Sequence, residues 1–118
     1  MSYSDKIKDV VEGKDVVLFM KGTPEAIMCG NSARALNALR RVGAPVTAVD
    51  ILRDAEIRQD LSALYGWPTI PQIFVKGELI GGADIVEELE ASGELEQTLV
   101  ESLGEGYRET RAEATVAL

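Results

Sequence analysis

Val16-Val17-Leu18-Phe19-Met20-Lys21-Gly22-Thr23-Pro24 joins a five-residue apolar run to the loop that breaks it. The run is β-branched and aromatic, is opened by Asp15 and is short for a helix, so it reads as a buried strand. On its N-terminal side, Ser4 to Glu12 has a capping serine and apolar Ile7, Val10 and Val11 at helical spacing, ending before Gly13, and reads as a first helix. On its C-terminal side, from Ser32, the positions Ala35, Leu36, Leu39 and Val42 repeat as one helical face, and Gly43 with Pro45 supplies the stop. Cys29 therefore stands at the entrance of that helix. Val46 to Ile51 reads as a second strand, after which Asp54 caps a helix carrying Ile57, Leu61 and Leu64 toward the core, stopped by Gly66. Strand, helix, strand, helix favours parallel neighbours joined by a right-handed crossover.

Further on, Gln72 to Val75 and Glu78 to Ile80 flank Lys76-Gly77 and predict an antiparallel hairpin with a two-residue turn. Asp84 is expected to cap a helix with Ile85, Val86 and Leu89, and Ser92-Gly93 separates it from an amphipathic segment bearing Leu95, Leu99 and Leu103. The order α-β-α-β-α-β-β-α-α is that of an α/β fold, a four-stranded mixed sheet flanked by helices on both faces. One domain is expected over residues 1–103, and the weakly patterned residues 104–118 are expected to form a tail that frays.

At 118 residues, 46% hydrophobic and 27% charged, the chain has the composition of a globular domain. Its net charge of −8 excludes reading it as a nucleic-acid binder, because that binding rests on Lys and Arg neutralising phosphates. The longest apolar run is far too short to cross a bilayer and Met1 to Val11 lacks a signal-peptide core, so no membrane association and a cytoplasmic location are expected. One cysteine and no histidine leave neither an internal disulfide nor a zinc set of the usual Cys/His type within one chain.

A lone cysteine is commonly a small buried hydrophobe. The position of Cys29 points elsewhere: a thiol at a helix start meets unpaired backbone N–H groups and the positive end of the dipole, with Lys21 nearby, and all three favour thiolate. Read by themselves, Lys21 and Arg58 are ordinary solvated charges, Pro71 is trans, Asp84 is a plain cap, and Trp67 is either core or surface filler or a partner contact.

Four blocks in order, Lys21-Gly22-Thr23-Pro24, Cys29-Gly30-x-Ser32, Trp67-Pro68-Thr69-Ile70-Pro71-Gln72 and Gly81-Gly82-x-Asp84-Ile85, resemble those of monothiol glutaredoxins, over about Ser4 to Leu103. Two positions depart from the family's pattern. Asn31 stands where the Cys-Gly-Phe-Ser motif has phenylalanine, replacing an apolar ring beside the thiol by an amide, and Ala83 stands where a cysteine is frequent. The resemblance implies a thioredoxin fold and a glutathione site with Cys29 as the catalytic thiol. It implies that Lys21 and Arg58 pair with the glycyl carboxylate, and that Thr69-Ile70-Pro71 carries a cis proline and offers backbone hydrogen bonds to the glutathione cysteine. It implies that Gly82, Ala83 and Asp84 hold the γ-glutamyl end at a helix N-terminus.

The resemblance also implies a [2Fe–2S] cluster as cargo, with Cys29 its metal ligand. Such a cluster takes four thiolates, and two chains with two glutathione thiols supply them, which gives a cluster-bridged homodimer and a monomer without the cluster. Iron–sulfur assembly or recipient proteins are the expected partners. The alternative is a glutathione-dependent reductase of protein–glutathione mixed disulfides working through one thiol. A third reading, a fold used only for protein contacts, leaves Cys29 without a task.

Overall fold

The run Val16–Met20 is the central strand of the sheet, and all five of its residues are buried. A computed structural model describes residues 3–110 and 113–118; residues 1–2 of the expected domain and 111–112 of the expected tail lie outside the described residues. In chain order come α1 (Ser4–Gly13), β1 (Val16–Met20), a small hairpin of β2 (Gly22–Thr23) and β3 (Ala26–Ile27), then α2 (Gly30–Arg41) and β4 (Val46–Asp50). There follow α3 (Ala55–Tyr65), β5 (Gln72–Val75), β6 (Glu78–Gly81), α4 (Ala83–Ser92), α5 (Glu94–Leu103) and β7 (Ala114–Val116), with 3-10 turns at Ile51–Arg53 and Glu105–Thr110.

Strand alternation divides β1 between two cores. Val16, Leu18 and Met20 pack with Leu36 and Leu39 of α2, Val86 of α4 and Leu95 and Leu99 of α5. Val17 and Phe19 pack on the other face with Ile7 and Val11 of α1 and Ile57 and Leu61 of α3. There the Phe19 and Phe74 rings meet edge to face at 5.6 Å and Tyr65 meets Phe74 at 4.7 Å, contacts worth about 0.5–1.5 kcal/mol each beyond their buried area. Burial on both sides is why this strand reads as an unbroken apolar run rather than an alternating one.

The sheet order is β6-β5-β1-β4-β7, with β1 and β4 parallel and β5 and β6 antiparallel to their neighbours. Register determines what gathers at one end. Met20 lies opposite Asp50, Gln72 opposite Phe19 and Gly81 opposite Ile73, so Lys21, Ile51, Pro71 and Gly82 all emerge at the same end of the sheet. The β5–β6 turn forms as expected on Lys76-Gly77, both at positive φ (49° and 82°), as a two-residue hairpin turn requires.

Three local expectations are corrected. The sheet has five strands rather than four, because the segment expected to fray supplies β7, parallel to β4 with Thr47 opposite Ala114. It is held there by the buried Tyr107 hydroxyl and Arg108 Nε, which both donate to the Val42 carbonyl, at 2.7 and 3.0 Å, and by an Arg40–Glu113 ion pair. Ser4 is the first residue of α1 and not its cap; Tyr3 precedes it, donating from its backbone to Asp60 at 2.7 Å and from its hydroxyl to Asp54 at 2.9 Å, which ties α1 to α3. Ile51 belongs to a 3-10 turn rather than to β4, because the Asp50 carboxylate accepts from Leu52 N–H and from Gly22 N–H, both at 2.9 Å, and turns the chain there.

Candidate functional site

Cys29 occupies the N-cap position of α2 in extended conformation, directly before Gly30, the first helical residue. Its sulfur is half-buried and meets the free N–H groups of the first turn. The Ser32 backbone N–H lowers the thiol pKa most; burial opposes it, and the Asn31 N–H, the Ser32 hydroxyl and the Lys21 charge add to the lowering. The helix terminus and Lys21 are legible in the sequence, whereas the part Ser32 plays shows only in the folded loop. Ser32 is fully buried and also accepts from Lys21 N–H at 3.1 Å, while Met28 N–H donates to the Lys21 carbonyl at 2.9 Å. These bonds lace the cysteine loop to the end of β1.

Alkylation of Cys29 against pH is therefore expected to show a midpoint below the free-thiol value of about 8.5. The sign for stability follows: the thiolate's contribution to folding is complete above the unfolded thiol's pKa and is lost as pH falls through the lower folded one. Ser32→Ala should move the midpoint up only part of the way, since the backbone N–H at 32 remains, and should cost about 1–3 kcal/mol by leaving Lys21 N–H unpaired. A wild-type midpoint at or above the free value contradicts this account.

The other expected site residues fall into two cavities, one reached by the residue before Cys29 and one by the residue two after it. One, of 540 Å³, is lined by Lys21 and Arg58 together with Met28 and Leu52. The other, of 330 Å³, is lined by Thr69, Ile70, Pro71, Gly82, Ala83 and Asp84, with Asn31, Arg34 and Trp67 also on its wall. Met28 faces the first and Asn31 the second, so Cys29 sits in the chain between them. The Ile70–Pro71 bond is cis, as the resemblance implies. Buried Gln72 braces this loop, donating from Nε2 to the carbonyls of Trp67 (2.8 Å) and Thr69 (3.2 Å), and Arg58 reaches the Pro68 carbonyl at 3.4 Å. Gly82 packs against this loop: a Cβ there would make ordinary contact with the Pro71 carbonyl at 3.4 Å and with Trp67 Nε1 at 3.7 Å, and Trp67 is part of the site wall.

The Asp84 expectation needs correction. Gly82 is the N-cap residue of α4 and Asp84 the second helical residue, with its carboxylate directed to Arg34 Nη2 at 2.7 Å. With no capping side chain, the N–H groups of Ala83, Asp84 and Ile85 lack intrahelical partners. Arg34 itself, unremarked in the sequence, bonds Asp84, Glu87 and Asn31 at once, and Glu87 above all raises its pKa. No spacing rule links residues 34, 84 and 87; the α2–α4 packing brings them together.

A protein-family model described as Glutaredoxin matches residues 16–80. Glutaredoxin 4 of Pasteurella multocida is 44% identical over 107 residues, covering 91% of this chain and 97% of that protein. Monothiol glutaredoxin-S11 of Oryza sativa subsp. japonica is 52% identical over 100 residues, covering 85% of this chain; the chain spans 20% of the length of that longer relative. Among solved structures, a buckwheat glutaredoxin–glutathione complex aligns with a TM-score of 0.72 at 27% identity, covering 83% of this chain and 87% of that one.

Proposed function

This chain belongs to the glutaredoxin family, in its monothiol class, and from that premise we propose that it binds glutathione beside Cys29 and carries a [2Fe–2S] cluster between two copies of itself. The observation that carries the reading is a thiol with lowered pKa whose chain neighbours Met28 and Asn31 line, respectively, a cavity bearing two cations and a cavity bearing free helix N–H groups. That arrangement suits a peptide thiol carboxylated at both ends. Lys21 and Arg58 take the glycyl carboxylate, the backbone beside Pro71 takes the peptide, and Ala83, Asp84 and the start of α4 take the γ-glutamyl end. The thiol is thereby brought beside Cys29.

Among the described residues no group of three or more His, Cys, Asp or Glu side chains is placed to hold a metal ion. One cysteine per chain then fits a shared cluster: two Cys29 thiolates and two glutathione thiolates make four. External ligands exchange readily, which suits handing the cargo to an iron–sulfur recipient in a reducing cytoplasm. The lowered Cys29 pKa also supports a second reading, in which the thiolate attacks the glutathione sulfur of a protein–glutathione mixed disulfide and the protein thiolate leaves. A second glutathione thiolate then attacks the Cys29–glutathione disulfide, releasing glutathione disulfide and restoring Cys29.

Anaerobic reconstitution with iron, sulfide and glutathione decides between them. The expected product absorbs in the visible, contains two iron and two sulfide per two chains, and runs as a dimer, whereas leaving out glutathione yields colourless protein. Colourless monomer in the complete mixture, with mixed-disulfide reduction intact, rejects the carrier and leaves the reductase.

A further inference from the structure

Arg34 has no part in that reading, yet it lines the 330 Å³ cavity beside Asp84 and Asn31 and is the one cation on that lining among the described residues. Its guanidinium is fixed in place. Nε donates to Glu87 at 3.0 Å, Nη2 donates to Asp84 at 2.7 Å and to Glu87, and Nη1 donates to Asn31 Oδ1 at 3.0 Å. These bonds use four of the five guanidinium N–H groups and leave one on Nη1 for a further acceptor. Asn31 supplies the third anchor at the position where the resembled motif has phenylalanine, a side chain that accepts no such bond.

The charges define what this wall selects. Asp84 and Glu87 outweigh Arg34, so an ammonium is welcome with or without the arginine. A carboxylate is different: with Arg34 it meets a guanidinium beside the free N–H groups of α4, and without Arg34 it meets Asp84 unneutralised, with Glu87 less than one helical turn further along α4. A ligand end carrying both an α-ammonium and an α-carboxylate uses both signs of the pair.

We propose that Arg34, held by Asn31, is the specificity-determining residue of this cavity and makes it select a thiol peptide whose end is a free α-amino acid over one lacking the α-carboxylate. The assignment deepens the glutathione reading above and rests on it. The measurement is the dissociation constant, by calorimetry, of glutathione and of γ-aminobutyryl-cysteinyl-glycine, which lacks only the α-carboxylate. Wild-type protein should prefer glutathione by about tenfold, the scale of one charge-assisted hydrogen bond. Arg34→Gln should reduce the preference to within about twofold by weakening glutathione alone, the analogue binding as well as before or better. Arg34→Lys, which keeps the cation, should retain a larger preference than Arg34→Gln.

A wild-type protein that binds both equally overturns the assignment, as does an Arg34→Gln chain that keeps the preference. So does one that loses both ligands in the same proportion, because Arg34 would then act only by holding Asp84. Wild-type protein that binds neither peptide overturns the glutathione reading itself, and the assignment with it.

Discussion

Cys29→Ser is expected to give a folded protein that still binds glutathione but holds no cluster and exchanges no disulfide. The fold should survive because the side chain is half-buried at a helix start and its replacement is nearly isosteric, a change within about 0.5 kcal/mol. Glutathione should still bind because the groups assigned to it line the two flanking cavities and do not include the sulfur. The loss of chemistry should be complete. A serine hydroxyl stays protonated where the thiol ionises, and no other cysteine or histidine exists in the sequence to replace it. Visible absorption after reconstitution, turnover of a glutathionylated peptide and a glutathione titration together read the three consequences. A Cys29→Ser protein that still takes up iron and sulfide as a dimer would remove Cys29 from the ligand set and the cluster-sharing scheme with it.

How far this arrangement was legible in the sequence depends on the range of each interaction. Val16–Met20, the Asp54 cap of α3, and the Lys76-Gly77 turn were readable because periodicity, capping and positive φ are local properties written over a few residues. The end of the sheet at which Lys21, Pro71 and Gly82 meet is set by strand order and register, which pair residues distant in the chain. Strand β7 was missed because three residues, Ala114 to Val116, carry no alternation, and what holds them is the distant pairing of Tyr107 and Arg108 with the Val42 carbonyl. Asp84 was misread as a cap because Asp before an apolar run is a cap signal, whereas Gly82 ends the extended chain two residues earlier and frees the carboxylate for Arg34. Arg34 itself stayed hidden because its carboxylate partners, Asp84 and Glu87, lie 50 and 53 positions away. The cis bond at Pro71 came only with the resemblance, since X–Pro bonds are mostly trans.

Gly22→Ala is expected to be the most damaging single-methyl change in the molecule, because Gly22 links the strand end to the cysteine loop. Its φ is +94°, a region where a Cβ is strained, and a Cβ there would collide with the Ala26 carbonyl oxygen and stand 2.8 Å from Met28 N and 2.9 Å from Met28 Cγ. Two of these three obstacles are backbone atoms, one in β3 and one directly after it, so no rotamer change relieves them. The Gly22 N–H is also committed to Asp50 at 2.9 Å, which resists rotation of the peptide away from the clash. Strain at positive φ together with overpacking sums to about 2–5 kcal/mol. The cheapest escape moves Met28, which carries Cys29 away from the Ser32 donors that favour its thiolate. The variant should therefore lose stability in urea and alkylate with a midpoint shifted up, the two effects appearing together. Gly13→Ala, at a position with no atom within 4 Å of the added Cβ and no positive φ, is the control and should change neither. If Gly22→Ala unfolds within about 0.5 kcal/mol of wild type, the hairpin yields more easily than close-packed backbone does, and Cys29 is not rigidly placed by it.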